Sequence, residues 1–475
     1  MLSSDNVAAI HDAALRVLEE LGIRVLLDEA RRRYRAAGAT VDEVSQMVRL
    51  DRGMVAEALA AAPACFTLAG GSPERDLPIG GDAMFFMPGG GCPNVTDLGR
   101  GRRPGTMADF IAFTKLHQGF DILPKLGAWI EPQDVPVAVR HLETTRAQLT
   151  LSDKAPFVFA RGTGQVRDGF EMIRIARGIG EEEFRARPCT MTVINTNSPR
   201  QIDRPMAQGI IDFAEWGQVC VITPFCLAGA MAPITVAGAL TLSHAECLAG
   251  VVLSQITRPG APVMYGAFAS NVDMRSGAPA FGTPEHMKAN FAAGQLARHV
   301  GMAWRCSAGA ASMAPDVQGA QETLLSLWSA ILAGGNMITH TAGWLEGGLT
   351  ISYEKFITDI EALQVIAEAM QEVPCGPDEI GLDAIAEVAP GGHFFAARQT
   401  MERYATAFYE PLVWDWSNFG QWTEAGARTA TERAHEIWQR RLADYEPPPV
   451  DAGVIEALDE FVARRKAEGG ASPLE

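Results

Sequence analysis

None of the eight cysteines, Cys65, Cys92, Cys189, Cys220, Cys226, Cys247, Cys306 and Cys375, stands in a CxxC pair or a C-x-x-C-H pattern. That excludes a zinc ribbon and a c-type haem attachment, and the scattered thiols read as reduced. The formal net charge is -17, so the average surface repels phosphate backbones and nucleic acid is not expected as a partner. No uninterrupted apolar stretch approaches the ~18 residues of a membrane helix. The start, MLSSDNVAAIHDAALRVLEELG, has acidic residues at helical spacing where a secretion signal has a basic start and a continuous apolar run. A cytoplasmic protein is expected. Also missing are HExxH, a P-loop, GxSxG, GxGxxG and any His/Cys/Asp cluster at metal-ligand spacing. The chain thus advertises no metal, activated serine or bound nucleotide of its own. That silence fits a nucleophile brought in by a partner.

What is present is an ordinary globular composition, 47% hydrophobic and 20% charged, in 475 residues. Eight short β-rich runs alternate with longer amphipathic ones: AMFFMPG (83–89), ILPKLGAWI (122–130), PFVFARG (156–162), CTMTVIN (189–195), VCVITPF (219–225), PVMYGAF (262–268), AWRCSAG (303–309) and NMITHTA (336–342). Helix-like segments such as DRPMAQGIIDFAEWG and AQETLLSLWSAILAGG lie between them, and SYEKFITDIEALQVIAEAM follows the last. Strand then helix, eight times, predicts an α/β protein built as a (β/α)8 barrel over 83–372. A helical segment (1–82) precedes it and an extension (373–475) follows, with a proline linker at 447–449 before a charged terminal helix. Trp414, Trp416, Phe419 and Trp422 in the extension pack either on the barrel or on a second copy, and a homo-oligomer is expected.

Long Gly- and Pro-rich loops follow several strands, for example GGGCPNVTDLGRGRRPGT and ASNVDMRSGAPAFGTPE. In such a barrel these loops gather at the strand C-termini, where substrates bind. Strand alternation puts Asn336, Ile338 and His340 on one face of the eighth strand, and Trp344 and Glu346 follow in its loop. His340 then enters the barrel mouth or serves as a hydrogen-bonded core histidine. Glu346 either attracts a cationic head or pairs with an arginine or helix start. Aromatics at strand ends, Trp129, Phe225, Phe268 and Trp344, could box a cation, although each taken singly also fits a core. Arg161 and Asn195 could bind a carboxylate tail, Arg161 bidentately.

Strings spread along nearly the whole chain, among them IHDAALRVLEELGIRV, APACFTLAG with LPIGGD, FMPGGG, GRRPGT, VINTNSPRQID, LAGAMAPITVAGAL, DMRSGAPAFGTPE, AGWLEGGLTISYEKF, VAPGGHF and YEPPPVD, resemble the trimethylamine methyltransferase family. The resemblance implies a (β/α)8 barrel and a corrinoid-dependent reaction, in which reduced cobalt on a separate carrier protein takes a methyl group from nitrogen. Members acting on trimethylamine carry pyrrolysine, whereas this chain contains only the twenty ordinary residues. It resembles the members that demethylate quaternary amines such as glycine betaine, so a quaternary amine is the preferred substrate. A sulfonium compound or tertiary amine, or a barrel that binds without turnover, are the rival readings. The implied partners are the methylated amine and the corrinoid carrier, with no metal held by this chain. His340 and Glu346 would then position and stabilise, because direct attack on the methyl needs no strong base.

Overall fold

Strand and helix alternate through the middle of the chain in the computed structural model, which describes residues 1–474. The parallel strands are β1 (Phe85–Phe86), β2 (Met191–Ile194), β3 (Val219–Ile222), β4 (Val263–Tyr265), β5 (Arg305–Ser307) and β6 (Met337–Thr339). Two three-stranded sheets result, with orders β4-β3-β2 and β5-β6-β1. A parallel bridge from Tyr265 to Trp304 links them. Further parallel bridges join Phe157 to Met191, Lys125 to Ala155 and Cys92 to Ile130. The protein is a mixed α/β fold.

The expected strands at 122–130 and 156–162 are reduced to these single bridges, and no continuous closed ladder is formed among the described residues. Side chains explain the difference by taking over backbone groups. Buried Lys125 donates from Nζ to the carbonyls of Leu126 (2.8 Å) and Pro156 (3.0 Å). The Gln148 amide accepts from the Phe157 N–H (2.8 Å) and donates to its carbonyl (3.1 Å).

Alternation along the strands sorts the core into two layers. Met337, Met191, Val221, Met264 and Ala303 join Phe85 and Met87 in a buried cluster to which no helix contributes. Leu68 and Ile79 of an antiparallel hairpin (Phe66–Leu68 with Leu77–Ile79) belong to the same cluster. The intervening residues, such as Ile338, Cys306, Ile222 and Cys220, face the helices in the larger cluster. The Val236–Thr257 helix is long and apolar enough to cross a bilayer by length and composition, but 78% of its apolar window is buried inside this fold. It packs against the helices Ser4–Arg16, Arg52–Ala61 and Arg204–Glu215, which makes it a core helix.

The N-terminal segment, expected to be helical, also carries a sheet. Ile23–Val25 pairs antiparallel with Met47–Arg49 and parallel with Gln201–Ile202. The alternating I-R-V puts Ile23 and Val25 inward and Arg24 outward, a strand signal too short to read alone. In the C-terminal region, Trp438 of the Ala430–Ala443 helix donates from Nε1 to buried Glu354 (3.0 Å). Leu458, Phe461 and Val462 of the Ala452–Ala467 helix cover Leu142 and Met172.

Beyond the strand C-termini the loops form small sheets of their own. Trp344–Leu345, Thr350–Ser352, Asn94–Thr96 and Arg103–Pro104 make one, which ties the loop after β6 to the loop after β1. Phe225–Ala228, Phe268–Val272 and Pro279–Ala280 make the other, extending the chain beyond β3 and β4.

Candidate active site

A cavity of about 290 Å³ opens where these loops meet the strand ends. Its wall includes Asn195, Phe225, Phe268, Arg305, His340 and Trp344, with Phe157 and Phe159 opposite, and Gly347, Gly348 and Leu349 along the rim. No Asp or Glu lines it.

His340 reaches this cavity by a backbone turn. Met337 and Thr339 face inward and Ile338 outward, so simple alternation would send residue 340 toward the helices. The strand ends at Thr339, and His340 adopts φ +62°, a left-handed conformation uncommon outside glycine and asparagine. Surrounding contacts hold the strain. The Thr341 hydroxyl donates to the Met87 carbonyl (3.0 Å), and buried Asp359, paired with Lys355, accepts from the Gly343 N–H (2.8 Å). Asn336, expected on the face of His340, lies at the other end of the strand, where its side chain accepts from the Trp304 N–H (2.9 Å).

The His340 imidazole is buried between Ser307 and Arg305. An Arg305 N–H donates to its Nε2 (3.3 Å), so Nδ1 carries the proton and donates to the Ser307 hydroxyl. Burial, then the Arg305 charge, then His286 hold its pKa well below the ordinary imidazole value. It is neutral at pH 7.

Trp344 is fitted into a slot of glycines. A Cβ on Gly89 would stand 2.2 Å from its ring, one on Gly348 2.3 Å and one on Gly309 2.7 Å. Phe268 lies 5.0 Å from Phe225 and 5.6 Å from Phe281, centroid to centroid, the latter pair stacked. The cavity is therefore lined by several aromatic rings, a residue type whose faces attract a desolvated cation by up to ~2 kcal/mol each.

Asn195, Phe225, Phe268, His340 and Trp344 are thus brought together; Trp129, Arg161 and Glu346 are not. Trp129 is fully buried on the helix side, 5.5 Å from Phe113 and 5.4 Å from Phe356, because its neighbour Ala128 is the residue that lines the cavity. Arg161 donates to Glu131 (2.7 Å) and covers Phe159 (4.3 Å), so it belongs to an adjacent cleft with Glu131 and Arg140. Glu346 accepts from Arg102 Nε at 2.9 and 3.1 Å through its two carboxylate oxygens, while its N–H donates to the Ser312 carbonyl (2.9 Å). It fastens the loop after β6 to its neighbours. Arg305, Ser307, Phe157 and Phe159 had not been singled out. The available signal was a lone arginine on the inward parity of an otherwise small and apolar strand, AWRCSAG.

Carboxylates on two helices, Val317–Leu332 and Val236–Thr257, hold the surrounding loops. Glu322 accepts from the N–H groups of Ala311 (2.8 Å) and Ser312 (2.9 Å). Glu246 accepts from the hydroxyls of Thr196 (2.5 Å) and Ser198 (2.7 Å), just after Asn195. Among the described residues no group of three or more His, Cys, Asp and Glu side chains stands close enough to hold a metal ion.

The profile of the family described as trimethylamine methyltransferase (MTTB) matches residues 1–470. The chain belongs to the trimethylamine methyltransferase family. It is 36% identical over 472 residues to a glycine betaine methyltransferase of Desulfitobacterium hafniense (strain Y51), covering 99% of this chain and 98% of that one. It is 29% identical over 470 residues to the trimethylamine methyltransferase MttB of Desulfitobacterium hafniense (strain DSM 10664 / DCB-2), covering 98% and 94%. The crystal structure of the Methanosarcina barkeri monomethylamine methyltransferase (MtmB) superposes with a TM-score of 0.50 over 94% of this chain and 93% of that one, at 10% identity. At that identity the likeness is one of fold.

Proposed function

We propose that this protein transfers a methyl group from a quaternary amine, a betaine being the preferred class, to a corrinoid held by a separate carrier protein. The single observation that carries the reading is the cavity at the strand C-termini, walled by Phe225, Phe268 and Trp344 and free of carboxylates. Ring faces suit a fixed cation that has no N–H to donate. The similarity to a glycine betaine methyltransferase along the whole chain supports the substrate class.

In this reading the eight parallel segments make a (β/α)8 barrel over 83–372, with 1–82 and 373–475 packed around it. The parallel bridges that connect neighbouring segments support it. The cavity volume lies at the lower end of the ~300–1,000 Å³ usual for small-molecule sites, room for a methylated amine but not for a macrocycle. A corrinoid would therefore act from the mouth, where it supplies the nucleophile that accepts the methyl group. The chain binds the ammonium, orients one methyl outward and keeps water from the rest. Transfer from a quaternary nitrogen leaves a neutral tertiary amine, so no proton has to be delivered. A neutral His340 fits that demand, because it orients neighbouring groups without acting as an acid.

The mouth also suits a docking protein. Leu98, Ile234, Met274, Met313 and Leu349 stand on five different loops and are 55–71% exposed. A second copy of the chain would cover the exposed Phe395, Phe408, Trp416 and Phe419 of the C-terminal region. Eight free cysteines, six of them buried, support a reducing, cytoplasmic setting.

The test is anaerobic incubation of the purified protein with chemically reduced cobalamin and a panel of methylated amines and sulfonium compounds, followed by absorbance and by mass spectrometry of the product. Loss of the reduced spectrum with a quaternary amine, and release of the matching tertiary amine, is expected. Reaction with a sulfonium alone would move the substrate class, and inertness toward every compound would overturn the reading.

A further inference from the structure

Five Lys or Arg residues are buried: Arg31, Lys125, Lys154, Arg305 and Lys355. Four have evident partners. Arg31 has Glu43 and the Val25 carbonyl, Lys355 has Asp359, and Lys125 and Lys154 each donate to two backbone carbonyls. Arg305 has none of this kind. It is 4% exposed, its Nε and Nη1 have no hydrogen-bond partner, and Nη2 reaches only the His340 imidazole. No hydrogen bond or ion pair to a carboxylate is formed by it among the described residues, and it lines the carboxylate-free cavity. Burying an ion without a counter-ion is costly, and a guanidinium presents its donors in a fork that matches a carboxylate. Even with burial pulling its pKa down to about 10, Arg305 is charged at pH 7.

The Arg305 guanidinium meets two walls of the cavity at once: its Nη2 is 3.3 Å from the His340 Nε2, and its Cζ stands over the Phe268 ring, 5.7 Å from the centroid. An anion held by Arg305 would therefore lie beside the aromatic rings that suit a cation.

We propose that Arg305 receives the carboxylate of the substrate, so that the cavity selects a zwitterion, a quaternary ammonium with a carboxylate a few bonds away, bound with its carboxylate on Arg305 and its ammonium against the aromatic rings. This rests on the methyl-transfer reading above and adds the specificity determinant. Arg161, already committed to Glu131, does not take that role. Tetramethylammonium or choline would leave Arg305 uncompensated, which makes the missing carboxylate expensive for the complex.

Titration calorimetry without any corrinoid tests this with glycine betaine, choline and tetramethylammonium. Wild type should bind glycine betaine about 100-fold more tightly than choline. Arg305→Gln should lose about 100-fold for glycine betaine and keep tetramethylammonium within about 3-fold, with Arg305→Lys between. The unliganded Arg305→Gln protein should unfold at the same or a higher temperature, since an uncompensated charge has been removed; if it does not fold, Arg305→Lys carries the comparison. Equal affinity of wild type for choline and glycine betaine, or an unchanged betaine affinity in Arg305→Gln and Arg305→Lys, would overturn the assignment and leave methyl transfer standing. Failure of wild type to bind any of the three would remove both.

Discussion

The imidazole of His340 lies against the indole of Trp344, ring centroids 3.7 Å apart and planes inclined by 30°. The contact joins a strand end in left-handed conformation to the first residue of the mouth hairpin, and three glycines leave the indole no other place. A polar ring held neutral thus backs an apolar ring that lines the cavity.

If the indole face holds the ammonium, its electrons matter more than its bulk. Trp344→Phe should keep affinity for a quaternary ammonium within about 3-fold, while Trp344→Leu should lose about 10-fold, the loss of a desolvated cation–π contact. Calorimetric affinities check this, and equal losses in both variants would remove Trp344 from the cation's wall.

The glycine slot predicts a second effect. Gly89→Ala would place a Cβ 2.2 Å from Cε3 of Trp344 and 2.9 Å from Cδ2 of His340, so both rings must shift. Methyl transfer should fall at least about 10-fold, with destabilisation of about 1–3 kcal/mol as for other overpacking. Gly180→Ala, with nothing within 4 Å of the added carbon, is the control and should change neither.

Alternation of strands and helices was legible because each segment repeats its own period, 2 or 3.6, over enough residues to be counted. Which side of a strand a residue takes was less legible. Trp129 and Phe268 look alike in sequence, an aromatic near a strand end, yet one packs on Phe356 and the other lines the cavity. The difference depends on irregular backbone around Lys125 and Gln148, side chains whose backbone bonds join residues 9 and 31 positions apart in two cases. His340 was singled out by alternation but arrives through a positive φ that no period encodes. Arg305 was passed over because it looks like a minor interruption in a core strand. Its meaning comes from missing partners, and only the fold shows which partners are missing.

Acid should weaken the fold through its buried histidines. Burial pulls His286 down to about 4 and His244 to about 3, and holds His340 and His117 well below the usual value. Unfolded histidines protonate near 6.5, so below that pH the unfolded chain binds more protons and stability falls as pH drops. The window runs from about 6.5 down to the folded values, with up to about 1.4 kcal/mol lost per pH unit for each histidine. Buried carboxyls with raised values, Glu246 and Asp359, oppose this in part. Denaturant unfolding between pH 7 and 5 should show a falling midpoint, less steep in His286→Gln; a flat profile would contradict neutral burial.

Glu346 pairs with Arg102 and does not line the cavity, so charge removal there should act on the loop alone. Its partner is 51% exposed, and exposed pairs of this kind are screened by solvent and contribute little. Glu346→Gln should leave the affinity for glycine betaine within about 3-fold, against the order-of-magnitude loss expected of a group that holds the ammonium. A tenfold weakening would place the carboxylate on the cation in the bound state, with the Arg102 pair broken.

The exposed apolar residues of the mouth separate docking from chemistry. Met274 is 66% exposed and Met313 is 71% exposed, on loops that follow different strands, and neither lines the cavity. A charge introduced at either leaves the fold nearly untouched, since surface substitutions stay within about 0.5 kcal/mol, but it desolvates badly under a protein partner. Met274→Asp, alone or with Met313→Asp, should therefore keep the rate with free reduced cobalamin within about 2-fold and lower the rate with the corrinoid carrier by about 10-fold, mostly through a higher KM for the carrier. Parallel assays with the two acceptors, at saturating amine, make the comparison. Equal rates with the carrier for wild type and both variants would move the docking face away from the mouth, and equal losses with both acceptors would show instead that these loops shape the cavity.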